Sequence, residues 1–298
     1  MARPRAPEVI AMPQPPSPLR RGEPAHAITF FGMSGVGKTT LARMLQRHDW
    51  FHYSADYRIG TRYMGEHIVD NFKREAMKVP FLRALLRSDS IYIRSNITFE
   101  NLSPLSTYLG TPGNPALGGL SIGEYRRRQA EHRAAEIRAL LDVPEFIGRA
   151  RDIYGYRHFV CDAGGSLCEV VDPADPRDPV LACLAEHTLL VYLRGTPAHE
   201  AMLVERFRQH PKPMYYNPGF LDATWREFKA RQGVEEDDAV VPEEFAVWGF
   251  AQLLAHRVPL YEAIAQRHGV VLEMDEVAAI TSEGALLERL APHLEARR

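Results

Sequence analysis

The chain has 298 residues, 45% hydrophobic and 25% charged, which suits one large soluble domain or two small ones with a sizeable core. Lys plus Arg is 36 and Asp plus Glu is 38, so the formal charge is −2 and the global electrostatic case for nucleic acid as main partner is removed. Cys161, Cys168 and Cys183 make neither a metal set nor a disulfide framework, and no apolar run reaches the ~18 residues that span a bilayer. The expected setting is the reducing cytoplasm, with no membrane partner.

Residues 1–26 are rich in Pro and Arg and read as a disordered arm, since they carry too little apolar surface to offset ordering entropy. Pro13, Pro15, Pro16 and Pro18 interrupt any signal-peptide core. The folded body, 27–298, starts with a strand at Ala27–Phe31, and a helix is predicted over 38–47 with Leu41, Met44 and Leu45 on one face. A short strand is expected at 52–54, then helical pattern over 65–87 with a break at Pro80. Strands are expected at 156–161, 187–193 and 270–273, and helices at 197–209, 219–231, 242–266 and 283–295. This alternation implies an α/β fold, a parallel sheet with helices on both faces. Residues 94–150 break the rhythm. Their first half is rich in Asn, Ser, Thr, Pro and Gly, and 124–141 reads as a charged helix with a solvated Arg126-Arg127-Arg128 face. The segment reads as an insertion capping a site, with about 207–245 as an extended, mobile lid.

Gly32-Met33-Ser34-Gly35-Val36-Gly37-Lys38-Thr39 satisfies G-x-x-x-x-G-K-[ST] between a strand and a helix, which is the context a phosphate-binding loop requires. Gly35 and Gly37 allow the backbone N–H groups to wrap phosphate oxygens, and the new helix turns its positive end to the anion. Gly32, Ser34, Gly35, Val36, Gly37, Lys38, Thr39 and Thr40 are therefore the expected nucleotide-binding residues. Lys38 brings charge to the terminal phosphates. Thr39 offers a hydroxyl to Mg²⁺, and Asp162, ending an apolar strand, is the candidate carboxylate beside that metal.

Beyond this loop the chain resembles the shikimate kinase family of small-molecule P-loop kinases. The resemblance is carried in order by Asp56-Tyr57-Arg58-Ile59 with Gly65, Ile68 and Phe72, by Ala163-Gly164-Gly165-Ser166, and by Val191-Tyr192-Leu193-Arg194 with Pro197. It continues through Lys212-Pro213 and closes with the R-x-x-L-Y-x-x-x-A stretch from Arg257 to Ala265. It implies a P-loop fold and ATP- and Mg²⁺-dependent phosphoryl transfer to a small, anionic metabolite. It also implies that Asp56 orients the acceptor hydroxyl, that Arg58, Gly164, Gly165 and Arg257 contact substrate, and that Lys212 joins Lys38 in stabilising transferred charge. Arg257 would project from a helix entrance at Pro259 and clamp a carboxylate through its planar fork. The family has two acids two residues apart in the Asp56 segment, whereas the earlier position here is Ser54. That departure favours a second class, a nucleotide-dependent switch acting on a protein partner through 94–150, and the arginines of 94–150 weakly favour a third, a nucleic-acid kinase, which the near-neutral charge opposes.

Overall fold

The computed structural model describes residues 25–296, so nearly all of the expected arm lies outside the described residues. The apolar run AITFF forms β1 (Ala27–Phe31), with every residue after Ala27 buried. The P-loop then leads into α1 (Lys38–Gln46) and β2 (Trp50–Ser54). Ser54 ends β2 and caps α2 (Ala55–Arg58), its hydroxyl accepting the Tyr57 N–H at 3.3 Å. A π-helical turn at Ile59–Tyr63 continues into α3 (Gly65–Ala76), and Pro80 opens α4 (Pro80–Arg87). An irregular stretch precedes α5 (Ser103–Leu109). Ser121 caps the long α6 (Ile122–Leu141), and α7 (Val143–Asp152) turns back toward β3 (His158–Asp162).

After β3 come α8 (Leu167–Val170), α9 (Pro179–His187), β4 (Leu189–Arg194) and α10 (Pro197–Gln209). The chain closes with α11 (Pro218–Gln232), α12 (Pro242–His268), β5 (Gly269–Glu273), α13 (Met274–Ala279) and α14 (Glu283–Glu295). The five strands pair in parallel in the order β2-β3-β1-β4-β5. Strand β1 is central, with Thr29 beside Cys161 on one side and Leu190 on the other. The Thr29 and Thr188 hydroxyls, 159 residues apart in sequence, share a buried 2.8 Å hydrogen bond at its base. Strand order reverses about β1, so the carboxyl ends of β1, β2 and β3 open a crevice at the P-loop, where α/β sheets bind ligands. This is the α/β P-loop nucleoside-triphosphatase fold. No helix among the described residues is long and apolar enough to cross a membrane.

Two parts differ from expectation. Residues 94–150 do not stand apart on the sheet: Leu140, Val143 and Ala150 belong to the main core, and α6 also packs on α2, α5 and α9. Arg128 is buried instead of solvated, held by Glu124, Asn71 and the Tyr108 carbonyl, because the helix turns that face inward. The expected mobile lid carries its own apolar cluster. Leu221, Trp225 and Phe228 of α11 pack with Tyr125, Tyr216 and Phe245, which anchors 215–245 against α6 and α12. Helices α7 and α9 were not expected. Helix α12 runs straight through Pro259, which therefore does not start a helix.

Candidate functional site

The P-loop takes its shape from two left-handed glycines, Gly35 (φ 82°) and Gly37 (φ 101°), a conformation that side chains with a Cβ adopt only with strain. A cleft of about 250 Å³ opens above it, lined by Ser34, Gly35, Gly37, Lys38, Thr39 and Thr40 from the loop side. Ser54, Asp56, Asp162 and Gly165 form the opposite wall, and Phe99 and Leu102 form a roof. Of the expected nucleotide residues, Gly32 and Val36 do not face this cleft. The Gly32 carbonyl takes up Lys38, and Val36 lines a neighbouring slot.

Lys38 is turned onto its own loop, its ammonium donating to the Gly32 and Met33 carbonyls at 2.8 Å each. Burial lowers its pKa, and the carboxylates of Asp162 and Asp56 work in the other direction. Asp162 ends β3 in register with Phe30 and Ser54, which brings it to the cleft floor. The Thr39 hydroxyl donates to its Oδ2 at 2.6 Å. This hydroxyl–carboxylate pair at the head of a phosphate loop is a hard oxygen set of the kind Mg²⁺ prefers, so the residues fit that ion.

Asp56 sits in the first turn of α2 and lies so close to Gly164 that a Cβ there would collide with its carboxylate. Burial and the nearby Asp162 push its pKa up to about 6, while Lys38 and Lys212 pull it down. Lys212 stands exposed in the loop between α10 and α11, near enough for its charge to act on Asp56. The structure thus brings together Lys38, Thr39, Asp56, Asp162, Gly164 and Gly165, with Lys212 facing them.

Two expected substrate contacts are engaged elsewhere. Arg58 does not line the cleft. Its Nε donates to Asp142 at 2.8 Å, and its guanidinium lies over the rings of Phe146 and Tyr63. Arg257 is only 5% exposed, inside α12, and each of its three nitrogens is engaged by the fold. Its Nε donates to Glu169 at 3.0 Å, Nη1 to the Gly165 carbonyl at 2.9 Å and Nη2 to the Tyr215 carbonyl at 2.8 Å. Glu169 is wholly buried and supplies the carboxylate that a substrate was expected to bring. Arg257 consequently braces the glycine loop, helped by the Tyr261 hydroxyl, which donates to the same Gly165 carbonyl.

Behind Gly165 lies a polar cluster absent from the sequence expectation. Glu136 of α6 is 0% exposed and accepts the Ser166 hydroxyl at 2.8 and 2.9 Å. Burial, reinforced by Asp56 and Glu169, pushes its pKa up to about 8. His132, one turn earlier, places Nδ1 3.6 Å from Glu136 Oε2, and burial lowers its pKa to about 4. The Tyr215 ring stacks on His132 with centroids 4.9 Å apart. Helical spacing puts His132, Glu136, Ala135 and Ala139 on the buried side of α6, and that spacing was the available signal.

The roof segment is tied down by Glu100 to Arg43 of α1 at 3.0 Å, and Phe99 stacks between Tyr57 and His52. Beside the P-loop, a second, apolar slot of about 500 Å³ runs between α1 and α13, with Leu41, Met44, Met274 and Val277 among its walls.

No family model matches the sequence, and no curated protein does. Among solved structures the chain is similar to a shikimate kinase from Bacteroides thetaiotaomicron, at 17% identity over 91% of this chain and 98% of that one, with a TM-score of 0.38.

Proposed function

We propose that the protein transfers the γ-phosphoryl group of ATP to a hydroxyl of a small molecule, in the cytoplasm. The observation that carries this reading is Asp56, which faces the same cleft as Lys38 and Thr39 and is packed against a glycine loop. A loop that only binds nucleotide needs no carboxylate there.

In this reading the backbone N–H groups of 34–39 and the head of α1 hold the phosphates, and Lys38 leaves its two carbonyls to meet them. Thr39 and Asp162 would hold Mg²⁺, which when bound offsets phosphate charge. The adenine ring fits the apolar slot that flanks Gly35 and Gly37. Asp56 accepts a hydrogen bond from the acceptor hydroxyl and aligns it. As the acceptor oxygen bonds to phosphorus, the bond from phosphorus to the ADP oxygen breaks and the hydroxyl proton passes to the Asp56 carboxylate. A pKa near 6 makes Asp56 a stronger base than an ordinary carboxylate. Lys212 meets the charge on the transferring group. Residues 94–121 roof the acceptor side, and the loop at 210–214, which carries Lys212, closes over the phosphates.

The test combines binding and turnover. Mg-ATP and Mg-ADP at millimolar levels should raise the melting temperature, since a ligand of the folded state must stabilise it. Asp56→Asn should keep that shift and lose acceptor-dependent ADP release. Absence of any nucleotide shift would overturn the P-loop reading. Loss of nucleotide binding in Asp56→Asn would move Asp56 to the metal.

A further inference from the structure

We propose that the acceptor alcohol carries an ammonium group, and that Glu136, His132 and Tyr215, behind Gly165, form the subsite that receives it. The proposal rests on the phosphotransferase reading and names the chemistry of its acceptor.

The first argument is charge. The cations of the acceptor side are committed: Arg257 to Glu169 and two carbonyls, Arg58 to Asp142. Arg133 of α6 is turned to the Val170 carbonyl at 3.3 Å. Lys38 and Lys212 belong to the phosphates. Asp162 is bonded to Thr39 at the metal position. What remains on the acceptor side is Asp56 and Glu136; burial and the charge of Asp56 hold the Glu136 carboxyl toward its protonated form, and Arg257 acts in the other direction. A carboxylate-bearing acceptor would add negative charge with no free partner, whereas an ammonium would pair with the carboxylate of Glu136 as it ionises.

The second argument is hydrogen bonding. The Nδ1 of His132 and the hydroxyl of Tyr215 are buried and have no hydrogen-bond partner, in side chains only 4% and 3% exposed. Such atoms are rare in folded proteins because an unsatisfied buried polar group is costly. His132 Nδ1 faces Glu136 Oε2 at 3.6 Å, and the Tyr215 ring stacks on His132. An ammonium has three N–H donors and no acceptor. The cluster offers it two adjacent acceptors, a Glu136 carboxylate oxygen and the His132 nitrogen, with the unpartnered Tyr215 hydroxyl on the ring that stacks over His132. Glu136 gives up its proton to solvent as the cation enters. The high pKa of Glu136 fits a carboxyl that lacks its cation, and burial is its main cause. Ser166 links the subsite to the transfer point: it bonds Glu136 and follows Gly165 on the cleft wall.

The experiment uses the full chain with matched alcohols: ethanolamine, ethylene glycol and glycolate; serinol, glycerol and glycerate; glucosamine, glucose and glucuronate. Mg-ATP-dependent ADP release above the acceptor-free rate gives kcat and KM, and thermal shift with Mg-ADP gives binding without turnover. The amine of at least one set should show a KM, or a binding midpoint, at least tenfold below its neutral counterpart. Glu136→Gln, close in shape, should bring that ratio toward one through KM, with kcat far less changed. His132→Asn is the second variant and should weaken the same preference. A purely structural Glu136 would leave the ratio where it was, and that result overturns the proposal. So does preference for the neutral or acidic members, or no amine bound or used above its counterpart while nucleotide binds normally. Absence of nucleotide binding would instead sink the phosphotransferase reading.

Discussion

Arg257→Met removes three hydrogen bonds at once and leaves the carboxylate of Glu169 buried without its ion-pair partner. Breaking a buried pair from one side costs about 3–5 kcal/mol, because the surviving charge keeps its desolvation penalty. A domain of this size loses roughly 2–4 °C per kcal/mol, so the melting temperature should fall on the order of 10 °C. Arg257→Lys keeps the charge but lacks the planar fork that reaches Glu169, Gly165 and Tyr215 together, and it should fall between wild type and Met. The assay is urea unfolding of wild type, Arg257→Met, Glu169→Gln and the double variant. The double variant should be less destabilised than the sum of the singles, since the stranded charge is gone. An unfolding midpoint that stays at the wild-type value, with acceptor kcat/KM reduced, would refute this reasoning and return the guanidinium to the substrate.

Lys38→Ala should abolish the thermal shift with Mg-ATP and leave the circular dichroism spectrum unchanged, since the side chain bonds only its own loop. Thr39→Val should weaken nucleotide binding in Mg²⁺ far more than in EDTA, as measured by calorimetry, because the hydroxyl bonded to Asp162 is lost. The folded-state pKa of Glu136 is raised to about 8, so the stability it contributes is complete below about 4.5 and is lost as pH rises through 8. Between pH 6 and 8 that loss is at most about 2–3 kcal/mol, at about 1.4 kcal/mol per pH unit. Glu136→Gln should flatten this part of the urea-midpoint profile. The base role of Asp56 predicts that kcat of the wild-type chain falls as pH drops below about 6, where its carboxylate takes up a proton, while nucleotide binding by thermal shift does not follow this limb.

Much of the fold was legible because it is local. Strand β1, the P-loop and α1 declare themselves through an apolar run, glycines at fixed offsets and a 3.6-residue stripe. Asp56 was placed by motif spacing and Asp162 as the end of an apolar strand, and they meet in one cleft because Asp56 follows β2 and Asp162 ends the adjacent β3. Helix α9 was missed because PVLACLAEH is short and mostly apolar, which leaves little helical contrast to read. The contacts of Arg257 were not legible for a different reason. A motif fixes where an arginine sits but not what it touches, and its partner Glu169 lies 88 residues away in sequence. Helix α6 was legible from charge pairs at helical spacing, Glu124 with Arg128 among them, while its buried polar face of Gln129, His132 and Glu136 was not. Ser54, the residue that departs from the two-acid pattern, has a local task of its own as the cap of α2.

The central place of β1 has a cost during synthesis. Strand β1 must wait for both of its neighbours: β3, which begins at His158, and β4, which begins at Leu189. The hydroxyl that meets Thr29 at its base is added 159 residues later. At roughly 5–20 residues per second, that is on the order of 8–30 seconds on the ribosome. Until β3 is made the segment AITFF has neither of its neighbours to pair with, and until β4 follows one edge stays open; it has the apolar, β-prone composition that recruits other chains. The phosphate loop hangs from its end and cannot hold its shape until the strand is flanked. Nucleotide therefore has no site to bind on the nascent chain, and it can stabilise the protein only after β4 has docked. Yield should depend on how well the amino-terminal third is shielded during elongation, far more than on nucleotide supply.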